Sequence, residues 1–198
     1  MAWMAETDIL SIHRSTAMFS GNGHQKHIVS ERIVTGGGTF DTLHAGHQEY
    51  IRTVFEYAGR VLLYVSSDEY AKTKKIYEVR PYNFRVKRLV NFITKLGIAK
   101  DRYEIRQLKT LTQIKNDLFN EDVHIAVVVP EYYTLLHRIN KYRMDYGKKG
   151  ILILVKERTR DQKNGDLSST AIHRDLIERR QHSSNGFLKT QVTAHLLK

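Results

Sequence analysis

The chain has 198 residues, 41% of them hydrophobic, enough for one domain with a full core, and it holds no apolar run long enough to span a membrane. It has no cysteine, which excludes disulfides, thiolate metal sites and cysteine nucleophiles and suits a reducing cytoplasm. Thirty-two lysines and arginines against 21 acidic residues leave a formal charge of +11, which favours polyanionic partners (nucleotides, phosphorylated metabolites, nucleic acid, an anionic membrane) without choosing among them.

Residues 1–30 start with no continuous apolar stretch and so do not read as a secretory signal. They lack sustained periodicity and carry Ser-Gly-Asn-Gly-His at 20–24, a loop signal. They are expected to form an extension, partly disordered, with a short helix near Trp3–Ile12. A first strand is predicted over Arg32–Gly36 and a first helix over His44–Tyr57, with Tyr50, Ile51, Val54, Phe55 and Ala58 on one face. Arg60–Ser66 is a continuous run rich in β-branched and aromatic residues, as in a strand covered on both faces. Ser67-Asp68-Glu69 starts a short helix. Pro81 opens a longer one that runs to about Leu96 and stops at Gly97; Phe84, Val86, Leu89, Val90, Phe92 and Ile93 form its expected buried stripe.

Tyr103–Leu108 alternates and reads as a strand nearer an edge, and a short helix is expected within 109–122. Val123–Val129 is the most hydrophobic run and the candidate central strand, ended by Pro130. A helix over Glu131–Tyr146 closes at Gly147, and Ile151–Val155 is a fifth strand. Ser168-Ser169-Thr170 offers an N-cap to a helix reaching about Arg180, and residues 181–198 form a tail. Strands alternating with helices predict an α/β domain over residues 31–180. Its expected architecture is a Rossmann-like, doubly wound, five-stranded parallel sheet with helices on both faces. Ligands of such sheets bind beyond the carboxyl ends of the strands, where the strand order reverses.

Thr35–His47 (TGGGTFDTLHAGH) stands at such an edge. Glycines let the backbone approach an anion closely, and N–H groups at a helix start point at it. His44 and His47, three apart, lie on one side of the first helical turn. There is no G-x-x-x-x-G-K-[ST] for a P-loop kinase and no paired G-x-G-x-x-G for a dinucleotide. Zinc on the two histidines lacks an evident third ligand, so no protein-held metal is expected.

Gly38–His47 resembles the GTFDxxHxGH signature of the HxGH nucleotidyltransferases, the superfamily of cytidylyltransferases and phosphopantetheine adenylyltransferases. Asp166–His173 resembles the ISSTxIR motif of that superfamily, with His173 at the arginine position and Arg174 one residue on, rotated by about 100°. Ser66–Lys75, followed by Val79-Arg80-Pro81-Tyr82 and Arg85, is similar to the T-S-D-E-x-A-x-x-K…P-Y-x-x-R segment of archaeal and eukaryotic-type phosphopantetheine adenylyltransferases. Ile139-Asn140-Lys141-Tyr142-Arg143…Gly147 looks like their I-N-x-x-R-x-x-x-G helix. Val127–Glu131 stands where they have V-V-S-x-E-T, a departure that leaves the base preference open.

The resemblance implies transfer of the adenylyl group of ATP to 4′-phosphopantetheine, with Mg²⁺ accompanying the triphosphate. It makes His47 and His44 catalytic, together with a lysine: Lys75 first, then Lys72. It assigns the nucleotide to Gly38, Thr39, Phe40, the two histidines and Glu131, and to Ser168, Ser169, Thr170 and Arg174. The acceptor phosphate falls to Thr39, Lys72, Lys74, Lys75 and Arg80. His47→Ala is expected to lower turnover while barely changing folding, as befits a histidine in an open cleft. The alternative within the superfamily is a cytidylyltransferase using CTP and a phosphorylated alcohol such as glycerol 3-phosphate, with Arg158-Thr159 similar to the start of that branch's R-T-x-G-I-S-T motif. A third reading is a non-catalytic basic module that binds nucleic acid, though no nucleic-acid motif is visible and nucleic acid is not the expected partner.

Overall fold

The structure, a computed structural model, describes residues 10–11, 31–161, 165–166 and 172. Its sheet strands are β1 (Leu10–Ser11), β2 (Ile33–Gly38), β3 (Arg60–Ser66), β4 (Tyr103–Leu108), β5 (Ile125–Val128) and β6 (Leu152–Val155). They lie side by side in the order β1-β6-β5-β2-β3-β4, all parallel. The five strands expected from the sequence make up β2–β6. β1 adds a short sixth, where a helix was expected; the rest of residues 1–30 lies outside the described residues. From β2 the chain steps to β3 and β4, then returns across the sheet to β5, so the order reverses between β2 and β5.

The helices are α1 (Ala45–Glu56), α2 (Asp68–Lys74), α3 (Tyr82–Lys95), α4 (Leu111–Asn120) and α5 (Tyr133–Asp145). The pleat of β3 explains the two layers. Val61, Leu63 and Val65 face α1 and α3, in a core with Ile51, Val54, Leu89 and Ile93. Leu62 and Tyr64 face the other way, toward α4 and α5, in a core with Leu118, Leu136 and Ile139. A strand buried on both faces needs an unbroken apolar run, and β3 has one.

The local signals act as their chemistry demands. Ser67 caps α2, its hydroxyl accepting from the Tyr70 N–H at 3.1 Å, and Gly97 and Gly147 follow α3 and α5 at φ of 73° and 71°. The strand and helix ends differ from expectation by small amounts. β2 continues through Gly38, and the helix after Pro130 begins with a 3₁₀ turn (Pro130–Tyr132) before α5.

One departure is larger. Phe84, expected in the buried stripe of α3, is 46% exposed, and the buried place beside it belongs to Arg85, which is 0% exposed. A fully buried guanidinium requires partners for its donors. Arg85 has four: the carbonyls of Arg80 (2.7 Å), Thr39 (2.8 Å) and Ser66 (2.9 Å), and the Asp68 carboxylate (2.8 Å). It thereby joins the ends of β2 and β3 to the starts of α2 and α3.

The I-N-x-x-R stretch of α5 serves packing. The Asn140 amide donates to the Ile151 carbonyl (2.6 Å) and accepts from the Ile151 N–H (2.8 Å), fixing the entry into β6. Arg143 donates to the Lys149 carbonyl at 3.0 Å and to the carbonyls of Leu118 and Glu121 at the end of α4. Beyond β6, β7 (Arg160–Asp161) and β8 (Gly165–Asp166) form a small antiparallel pair. Of the helix expected to reach Arg180, only Ile172 is described, and it is helical. The tail 181–198 lies outside the described residues.

Candidate active site at the β2–β5 crevice

β2 and β5 pair over only two residues each, Val34 with Ile125 and Thr35 with Ala126. Beyond that the strands part, and ladder groups on both sides would be left without partners. Tyr50 of α1 fills the gap. Its buried hydroxyl donates to the Val127 carbonyl (2.6 Å) and accepts from the Gly37 N–H (3.0 Å). A Cβ on Gly36 would stand 2.8 Å from that hydroxyl, so the bridge depends on a glycine there. Burial pushes the Tyr50 phenol up, which keeps its proton in place as the donor.

The turn that follows β2 is strained and heavily pinned. Phe40 and Leu43 both have positive φ, 52° and 43°, a region that L-residues rarely occupy. Asp41, fully buried, accepts from the Arg80 N–H at 3.0 Å and lies 3.7 Å from the Arg80 guanidinium. Arg88 reaches the carbonyls of Asp41 and Thr42, each at 3.4 Å. With Arg85 on Thr39, three arginines of the 80–88 segment hold the turn from behind.

The turn delivers two histidines to one wall. His44 is the N-cap of α1, its Nδ1 accepting from the His47 N–H at 3.4 Å. That bond assigns the His44 proton to Nε2, which is buried and has no partner among the described residues. The two rings stack at 3.9 Å, and His47 meets Phe40 edge-on at 5.3 Å. A Cβ on Gly46 would touch the His44 ring at 3.2 Å, so the glycine between the histidines is what admits the stack. Burial, reinforced by Arg158 and Lys75, pushes the His44 imidazole down to about 4. Burial, followed by His44, Lys75 and Arg158, pushes His47 down to about 3. Both are neutral donors at physiological pH.

The histidines face a polar cleft of about 290 Å³. Gly38, Thr39 and Phe40 line it, and the Thr39 hydroxyl lies 3.5 Å from that of Ser66. Glu131 and Tyr132 enter from the turn after β5. Lys74 and Lys75 enter from the end of α2; Lys75 is half-buried, and its pKa is lowered by burial and by Arg158. Lys72 is exposed and does not line the cleft, and Arg80 is turned onto Asp41 rather than into it. Ser168, Ser169, Thr170 and Arg174 lie outside the described residues.

Sequence reasoning missed the contribution of the segment after β6. Lys156, Arg158 and Thr159 all line the cleft. Arg158 pairs with Glu131 across it, while Lys156 (3.4 Å) and Thr159 (2.5 Å) bind the two oxygens of Glu49 on α1. The signal was present in Arg158-Thr159, but the residues that separate it from Ser168 hid it. Part of that insertion is the β7–β8 pair. A second cavity, apolar and about 90 Å³, lies on the α4–α5 side and shares Gly37, Gly38, Thr39, Ser66 and Tyr132 with the cleft. Among the described residues no three His, Asp or Glu side chains come together as a metal site, and no helix is long and apolar enough to cross a membrane.

A cleft with four cationic side chains and two neutral imidazoles, at the point where strand order reverses, suits a polyanionic ligand. Comparison with known proteins agrees. Residues 36–175 match the cytidylyltransferase-like family. The chain is 32% identical over 146 residues to the phosphopantetheine adenylyltransferase of Methanosarcina mazei, covering 74% of this chain and 93% of that one. It is 34% identical over 152 residues to the enzyme of the same name from Methanosarcina barkeri, covering 74% and 89%. Among solved structures, a protein of unknown function from Archaeoglobus fulgidus superposes with a TM-score of 0.55 at 26% identity, covering 68% of this chain and 98% of that one. Motif, fold and relatives converge: the chain belongs to the cytidylyltransferase-like family, the nucleotidyltransferases built on the HxGH turn, and is similar to its archaeal phosphopantetheine adenylyltransferases over most of their length.

Proposed function

We propose that the protein transfers the adenylyl group of ATP to 4′-phosphopantetheine, giving dephospho-coenzyme A and pyrophosphate, with residues 31–180 as the catalytic domain and the cytoplasm as its setting. The observation that carries this reading is the stacked, neutral His44–His47 pair beside Lys75 and Arg158 in the switch-point cleft. The acceptor is taken from the archaeal relatives, whose names specify it.

An oxygen of the acceptor's phosphate attacks the α-phosphorus, and the bond from that phosphorus to the β-phosphate oxygen breaks. A phosphate monoester is already ionised at neutral pH, so no strong base is needed. The protein's task is to align two polyanions and to stabilise charge on the transferring and leaving groups. The His44 Nε2–H and the His47 imidazole serve as donors to the α- and β-phosphates. Arg158 exchanges Glu131 for the triphosphate, and Lys75, with Lys74 and Thr39, holds the acceptor phosphate. Magnesium would accompany the triphosphate as part of the substrate and would reduce its charge. The apolar cavity beyond Thr39 and Tyr132 takes the methyl and methylene groups of the acceptor's arm.

Arg158 and Thr159 in the cleft favour a second reading, a cytidylyltransferase, because they match the start of that branch's motif. Pyrophosphate release from ATP with 4′-phosphopantetheine, beside CTP with glycerol 3-phosphate, separates the two. Turnover is expected with the first pair; a rate only with the second overturns the proposal.

A further inference from the structure

We propose that the acceptor site is open at its far end and favours acceptors whose arm is extended by an anion: 4′-phosphopantetheine carrying a dicarboxylic acyl group on its thiol. This deepens the preceding reading and rests on it.

Three cavities neighbour one another through shared lining residues. The polar cleft adjoins the apolar cavity at Thr39, Ser66 and Tyr132. The apolar cavity in turn shares Leu111 and Leu135 with a surface groove of about 380 Å³ between α4 and α5. The apolar cavity alone, at about 90 Å³, falls well below the ~300 Å³ at which pockets for ligands of this size begin. In this proposal the arm of two amides and a thiol passes Leu111 and Leu135 and ends in the groove.

The groove there is basic. Lys115 and Arg138 line it and no acidic side chain does. The Lys115 ammonium lies 3.8 Å from the centroid of the Tyr142 ring, and neither cation has an ion-pair partner among the described residues. Two unpaired cations above the apolar floor of Leu135 and Ile139 fit a carboxylate at the end of a short aliphatic chain. The chemical step is unchanged: the acceptor's phosphate oxygen bonds to the α-phosphorus, pyrophosphate leaves, and the thioester takes no part. The product is the S-acyl dephospho-coenzyme A.

The test compares kcat/KM for three acceptors with ATP: 4′-phosphopantetheine, its S-butanoyl derivative (neutral) and its S-(3-carboxypropanoyl) derivative (anionic). Both derivatives should turn over, the anionic one about tenfold better than the neutral one, with the preference shrinking as salt rises. Lys115→Glu with Arg138→Glu should abolish that preference. Turnover of the plain acceptor but of neither derivative, or equal use of the two by wild type, overturns this inference and leaves the parent reading standing. A preference that survives the double substitution also overturns it. No turnover of the plain acceptor overturns both. The wild-type comparison decides the matter even if the variant fails to fold.

Discussion

What His44 and His47 can do follows from how their surroundings set their charge. An imidazolium would attract phosphate more strongly, but burial and the neighbouring Lys75 and Arg158 keep both rings neutral in the free protein. A neutral ring that donates a hydrogen bond gains most where charge develops, which is where an enzyme benefits. His47→Ala should lower kcat by about 10²–10³-fold, by analogy with the loss of an oxyanion donor. Folding will not be indifferent, contrary to what an open cleft suggested. His47 is half-buried and packs edge-on against Phe40, so the variant should also lose on the order of 1 kcal/mol. Melting temperature and kcat measured on the same preparation decide it, and a folded variant with wild-type kcat would exclude the proposed role.

Among the elements, the 80–88 segment sets the geometry of the site without entering the cleft. Arg85 holds Thr39, Ser66 and Asp68 at once, and thus fixes the glycine turn against α2, the helix that ends at Lys74 and Lys75. Burial alone would raise the Asp68 carboxyl, but the Arg85 guanidinium and the Tyr82 N–H hold it below its usual range. A lysine has the charge without the planar fork and cannot meet four partners in different directions. Arg85→Lys should cost about 3 kcal/mol and raise KM for both the acceptor and ATP, because Arg85 ties α2 to the turn that carries the two histidines. Urea unfolding together with both KM values checks this; unchanged stability would show that Arg85 is not the tie described here.

At the scale of the whole molecule, the two depressed histidines tie stability to pH. Their imidazoles titrate near 6.5 when unfolded and at about 4 and about 3 when folded. Between those values the unfolded chain binds more protons, so stability is full above pH 6.5 and falls as pH drops toward 4. Asp68 and Glu104, both held below their usual range, add a further loss at lower pH. The histidine share is therefore read between pH 6.5 and 5. Urea midpoints across that window should fall for wild type and stay flatter in a His44→Asn, His47→Asn double variant. Equal slopes in the two proteins would show that the rings are not held neutral by the fold.

The sequence by itself determined the elements and the contiguous part of the site. β3 reads as a two-faced strand because its apolar run is unbroken, and Ser67, Gly97 and Gly147 mark helix ends through local hydrogen bonds and φ. The HxGH turn is legible because its glycine and both histidines lie within four residues of one another. Only the tertiary structure decided which distant groups meet. Tyr50 bonds to Val127, 77 positions away, and Thr159 to Glu49, 110 away. Helical periodicity assigns an arginine to the surface, yet among the described residues Arg85 is the largest fully buried side chain, because three carbonyls and a carboxylate from separate segments converge on it. The same holds for Arg158 opposite Glu131. These pairings follow from strand order, and strand order is settled by packing between layers that no local pattern encodes.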